Sequence, residues 1–287
     1  MNTFLASRYL EGIQRLALGL EPLDAVAGGR VRHVVNGAIE DVPQPVDAWR
    51  NLQPGDDVND YLPQLDRHSS CHYIVIYRPG LKVPVDVRLF DRERRFVPRR
   101  LRIPIATEAA VIAADDPTKP QVPLTSRVLR PLMFPGAAYD VSESATGLRG
   151  RAVRGGKPMR WVRIEARLAS THEFLGRAHG DDRGDFLLLV QLDPAHVGDP
   201  GNPLAIQVML FGAQIPPVPA YTLQPQLDPF WDLPLETPNI PPPGVDDPVA
   251  DGVQLPAGYV ASATGPVTVN LPLGRISSAG IPPLSFT

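Results

Sequence analysis

The sequence predicts a mainly β protein: an N-terminal amphipathic helix over residues 1–22, a first β-region over 23–140, a second, sandwich-like β-domain over 141–212 and an extended proline-rich arm over 213–287 that ends in a strand, where Val267, Val269 and Leu271 alternate. Three observations carry this layout. From Tyr73 to Phe211, runs of branched and aromatic residues recur with period-two alternation, the pattern of strands with one face in a core. Helical spacing of apolar residues marks the N-terminus. Prolines, 34 in the chain, crowd the segment after Gly212, where their missing N–H groups oppose a regular ladder.

In chain order, Phe4, Leu5, Tyr9, Ile13, Leu16, Ala17 and Leu20 fall on one helical face, with Asn2 or Thr3 as cap and Pro22 as stop. Val31 to Val35 and Ala38 to Val42 read as two short strands joined at Asn36-Gly37, a pair that favours a tight type I′ turn because both central residues take positive φ. CHYIVIYR, VPVDVRLFD and RRFVPRRLRIPI then read as an antiparallel set. Within it, Val83, Val85, Val87 and Leu89 alternate with Pro84, Asp86 and Arg88, giving one core face and one wet face. In the second domain Gly155 and Gly156 separate two strands, and Val162, Ile164, Ala166 and Leu168 alternate with Arg163, Glu165 and Arg167. Further strands are expected at Leu175 to His179, Phe186 to Leu192 and Leu204 to Phe211. Phe186 to Val190 is apolar on both faces, which predicts a covered position.

Composition narrows the function classes. With 287 residues, 43% of them hydrophobic, the chain can bury real cores. A formal charge of −3 from 28 basic and 31 acidic residues gives no global electrostatic case for nucleic acid or an anionic membrane, so proteins are the expected partners. The single Cys71 excludes an internal disulfide framework and fits synthesis in a reducing cytoplasm, with later release in a particle still open. Glu11 and Arg15 interrupt the apolar start, no small-residue cleavage site follows, and no other stretch approaches the roughly 18 apolar residues of a membrane span.

The stretch GRAHGDDRGDFLLLVQ, residues 176–191, sets a histidine, three aspartates and an Arg-Gly-Asp triplet before the most apolar run in the chain. It reads as a hairpin turn: an aspartate two residues before a turn glycine, Asp182 before Gly184, bonds its own following amides, and Gly184 supplies the positive φ. A calcium loop needs more oxygen ligands at fixed offsets than Asp181, Asp182 and Asp185 supply. Gly150, Gly156-Lys157-Pro158-Met159, Val162, Ile164 and the run from Asp181 to Phe186 together resemble the carboxypeptidase regulatory-like domain, a transthyretin-like β-sandwich, over about residues 146–193. The resemblance implies Gly156, Pro158, Asp182 and Gly184 as turn-forming residues in an accessory module without catalytic residues, with Trp161 standing where that family usually has glycine.

Candidate chemistry is sparse. Arg67-His68-Ser69-Ser70-Cys71-His72 brings two imidazoles and a thiol together, but zinc needs further ligands and the thiol lacks a nucleophile motif, so Cys71 is expected at a buried strand start. No phosphate loop, nucleophile elbow or zincin helix occurs, so no catalytic, cofactor or metal residue is assigned. The block from Arg88 to Arg102, with Arg94, Arg95, Arg99 and Arg100, is expected to form salt bridges with a neighbouring subunit. In the arm, Phe230, Trp231 and Leu233 are expected to anchor in grooves of that neighbour. The expectation is therefore a non-enzymatic structural subunit of a large assembly. Its layout and the block VDVRLFDRERRFVPRRLRIPI resemble accessory baseplate or tail proteins of phage-tail-like contractile injection systems. The alternative is a ligand- or carbohydrate-binding sandwich presenting Trp161, Tyr221 or Trp231.

Overall fold

The computed structural model describes residues 15–31, 35–40, 53, 55–67, 72–193, 202–219, 224–239, 247–278 and 282–287. It is mainly β. The described residues open with β1 (Leu16–Leu20), β2 (Leu23–Asp24), β3 (Asn36–Ile39), β4 (Asp66–Arg67), β5 (Tyr73–Ile76), β6 (Val85–Phe90) and β7 (Arg99–Ile103). A short helix, α1 (Glu108–Ala113), capped by the Thr107 hydroxyl on the Ala110 amide, leads to β8 (Val128–Leu129) and β9 (Leu132–Met133). Next come β10 (Gly147–Arg154), β11 (Lys157–Pro158), β12 (Arg163–Leu168), β13 (Phe174–His179), β14 (Asp185–Leu189) and β15 (Leu204–Ala213). The tail contributes β16 (Leu235–Glu236), β17 (Tyr259–Ala261), β18 (Val267–Leu271), β19 (Ile276–Ser277) and β20 (Leu284–Phe286).

Two four-stranded sheets, β4-β5-β1-β8 and β16-β7-β6-β3, form the first β-domain with the short pair β2-β9. Their core joins Leu18 and Leu20 of β1, Val75 of β5, Val87 and Leu89 of β6 and Leu101 of β7. The second domain is a sandwich. One sheet runs β11-β10-β14, with β19 and β20 also on β10; the other runs β13-β12-β15, with β17 and β18 both on β15. Leu148, Phe186 and Phe286 from the first sheet meet Ile164, Leu175 and Val208 from the second in one core. Gly150 lies opposite Phe186 in register, and a Cβ there would come within 2.7 Å of its ring.

Four expectations are corrected. Leu16–Leu20 is a strand paired with β5, not the end of a helix. The apolar run Leu16-Ala17-Leu18-Gly19-Leu20 satisfies either period, and pairing buries both faces; residues 1–14 of the expected helix lie outside the described residues. Asn36-Gly37 is not a turn but the start of β3, where Gly37 makes room for Leu65, 2.8 Å from where its Cβ would sit. The wet face of β6 is covered: Asp86 and Arg88 are 8% and 6% exposed. Finally, the described residues of 213–287 are not an arm standing off the chain, although the strand expected near its end is there as β18, paired with β15. Residues 224–239 and 247–252 return to the first domain, placing β16 beside β7 and Ala250 in its core, and β17 to β20 complete both sheets of the sandwich. Leu233, Leu284 and Phe286, which follow or lie between prolines, are buried on the same chain, and the strands here are short enough for prolines to fall between them.

Candidate functional site at the domain seam

Buried charge concentrates where the two β-domains meet. Arg99 on β7 is wholly buried, its Nη2 donating to Glu236 Oε2 at 2.8 Å and its Nη1 to the carbonyls of Leu132 and Ala250 at 2.9 and 2.6 Å. Arg163 on β12 reaches the other oxygen of the same carboxylate at 3.1 Å. Glu236, supplied by β16, thus ties a strand of each domain to one anion. A neighbouring cluster has Arg88 forked onto Asp228 at 2.7 and 2.8 Å, with Asn59 and Glu40 as further acceptors; Glu40 also takes Arg100. On the sandwich side Arg160 forks onto Asp232 at 2.6 Å, and the Trp161 indole donates to the same carboxylate at 2.7 Å.

The arginines expected to face a neighbour are therefore held within the chain. Arg94 spans the seam to Asp182 at 3.0 and 3.3 Å, and Arg95 is held by Asp91 at 3.0 Å. Phe230 packs between Phe90 and Trp161 at ring distances of 5.8 and 6.0 Å, and Leu233 is buried with Val97 and Trp161. Trp231 is half-buried. In the turn, Gly184 has φ 74° and a Cβ there would meet the Ala152 carbonyl at 2.5 Å. The aspartate that bonds the following amides is Asp181, whose Oδ1 accepts from Arg183 and Asp185 at 2.8 and 3.0 Å, rather than Asp182. Gly156 takes φ 74° in the β10–β11 turn, and Pro158 ends β11 opposite Val153. Asp185 is paired with Arg151 at 2.6 Å. Among the described residues no group of three or more His, Cys, Asp or Glu side chains is placed to hold a metal. His68, Ser69, Ser70, Cys71 and Tyr221 lie outside the described residues. His72 bonds Glu21 at 3.0 Å; burial pushes the Glu21 carboxyl up, but the bonds from Arg30, His72 and Arg130 outweigh it and bring the group to about 2.

Beside the seam lies a cavity of about 400 Å³ lined by Trp161, Trp231, Tyr259, Arg154, Met159 and Pro217. Burial pushes the Tyr259 phenol up to about 12, and its hydroxyl donates to the Trp161 carbonyl at 2.9 Å. Arg154 lies 4.3 Å over the Phe286 ring and donates to the Ala213 carbonyl at 2.7 Å, while its buried Nε has no hydrogen-bond partner among the described residues. Ile215 also lines the cavity, and Val218 follows three residues on; these side chains are 82% and 83% exposed.

Sequence reasoning missed the acidic half of the seam. Its signal was present: Asp228, Asp232 and Glu236 recur every fourth residue through DPFWDLPLE, an unusual spacing of charge in an apolar proline-rich stretch. Comparison with protein-family models, curated proteins and solved structures finds no match. No helix among the described residues is long and apolar enough to cross a membrane.

Proposed function

We propose that this chain is a non-enzymatic structural subunit of a larger protein assembly, docking through the strip from Ile215 to Val218. The observation that supports this reading is that exposed pair: two branched side chains, 82% and 83% exposed, held out by Pro216, Pro217 and Pro219 on the rim of an aromatic cavity. Prolines keep the strip extended and remove N–H groups, which favours insertion into a partner's groove over sheet pairing. The buried ion pairs fit the same role, since they fix the two domains as one body that can transmit load. A baseplate or tail position in a phage-tail-like contractile injection particle is the assembly proposed, on the layout resemblance alone.

The test is gradient sedimentation of an extract of the source cells. The tagged chain should travel with fast-sedimenting particles, and Ile215→Asp with Val218→Asp should return it to the monomer position while leaving its thermal midpoint unchanged. A wild-type chain found only at the monomer position overturns the proposal. A second reading, a ligand-binding module, is favoured by Arg154 Nε, without a partner among the described residues, in the wall of a cavity that also holds Trp231 and Tyr259. It expects acidic oligosaccharides to quench a fluorescence component that Trp231→Phe removes.

A further inference from the structure

His179, the last residue of β13, is 1% exposed and lies at the seam. Its ring stacks on Phe134, which follows β9, with centroids 3.7 Å apart and 22° between the planes. Gly252 in the returning segment, at φ 66°, approaches so closely that a Cβ there would lie 3.3 Å from Nε2. Neither ring nitrogen has a hydrogen-bond partner among the described residues. One imidazole thus stands where three parts of the chain converge: the sandwich, the first β-domain and the segment that joins them.

The charges around it are mostly of one sign. Arg163 is its register partner on β12, Arg99 comes from β7, and Arg177 lies two residues back on β13. The nearby counter-charge, Glu236 on β16, is already shared by Arg99 and Arg163. Asp181, just past β13, is bound to the amides of Arg183 and Asp185 and reached by Arg94 at 3.5 Å. In the returning segment Asp247 accepts from the amides of Asn239, Val249 and Ala250, and Asp251 adjoins Gly252.

We propose that His179 is an acid-operated latch: proton uptake by its ring loosens the seam and lets the two β-domains separate. As a neutral ring it suits an apolar box. As an imidazolium it would stand dehydrated beside two guanidinia that share one carboxylate. The Phe134 face attracts a cation, but less than dehydration disfavours it. Burial first, then Arg163, Arg99 and Arg177, hold the closed-state ring well below the ordinary histidine range. With the seam open, the ring takes its proton near the usual value of about 6.5. The closed state is therefore fully favoured above about pH 6.5 and loses about tenfold in its equilibrium per pH unit below it, down to the closed-state value.

The experiment compares the wild-type chain with His179→Phe, a change that keeps the stack and removes no hydrogen bond, from about pH 7.5 to about pH 5. The wild type should lose thermal stability and gain radius of gyration in small-angle scattering across this range, and His179→Phe should do neither. Equal losses in the two proteins, or a wild type unchanged down to the lower pH, overturn the proposal. Should His179→Phe fail to fold, the wild-type imidazole resonances decide. The His179 ring should stay neutral below the ordinary histidine value and become charged only as the molecule expands; titration at the ordinary value without expansion overturns the latch.

Discussion

Glu236 is the residue on which the seam depends. Its carboxylate joins Arg99 and Arg163, and all three side chains are almost wholly buried. Removing one partner of a buried ion pair leaves uncompensated charge, which typically costs about 3–5 kcal/mol, more than the pair itself contributes. Glu236→Gln keeps the shape and strands two guanidinia, so a loss of that size is expected in denaturant unfolding; a change under about 1 kcal/mol would mean that the arginines find other acceptors. Its spacing from Asp228 and Asp232 was a signal, but its pairing was not legible in the sequence, because its partners lie on strands far along the chain. Gly184 was, because a positive φ of 74° before a core aromatic is a local requirement. Trp161 stands between these cases. It takes φ 58°, a region that favours glycine, and its bulk fills the seam beside Leu233.

Among elements, the long alternating strands were readable and the short ones were not. Val162, Ile164, Ala166 and Leu168 show their period over a whole strand, and β12 follows it, with Val162 packed just before it. In the tail, β16, β17, β19 and β20 are two or three residues long, too short for any period to appear, so the prolines dominated the reading. The last of them nonetheless completes a core: Leu284 and Phe286 of β20 belong to the sandwich interior. Deleting residues 259–287 is therefore expected to leave β10 and β15 with open flanks and to give an insoluble or protease-sensitive product. A soluble, cooperatively melting fragment of residues 1–258 would show that the sandwich closes without them. The Asn-Gly pair misled for a related reason: hairpin chemistry is a local preference, and close approach of Leu65 to Gly37 is a tertiary demand that overrides it.

At the scale of the whole molecule, the chain leaves the first domain at β9, builds most of the sandwich through β15, returns to pair β16 with β7, and goes back to finish the sandwich with β17 to β20. The strands β10 to β15 of the sandwich thus lie between β9 and β16 of the first domain, and β16 lies between β15 and β17 of the sandwich. Such interleaving predicts a single calorimetric transition near neutral pH, with calorimetric and van't Hoff enthalpies equal; two resolved transitions would mean that the domains melt independently. The parallel pairing of β10 with β20 has a consequence for biosynthesis. Ala152 waits for Leu284, roughly 130 residues downstream, which at the usual rate of about 5–20 residues per second takes on the order of ten seconds on the ribosome. For that interval β10 presents an unfilled hydrogen-bonding lane, the kind of surface that nascent-chain chaperones shield. Slower translation between the codons for Arg154 and Leu284 should therefore lower the soluble yield of this protein.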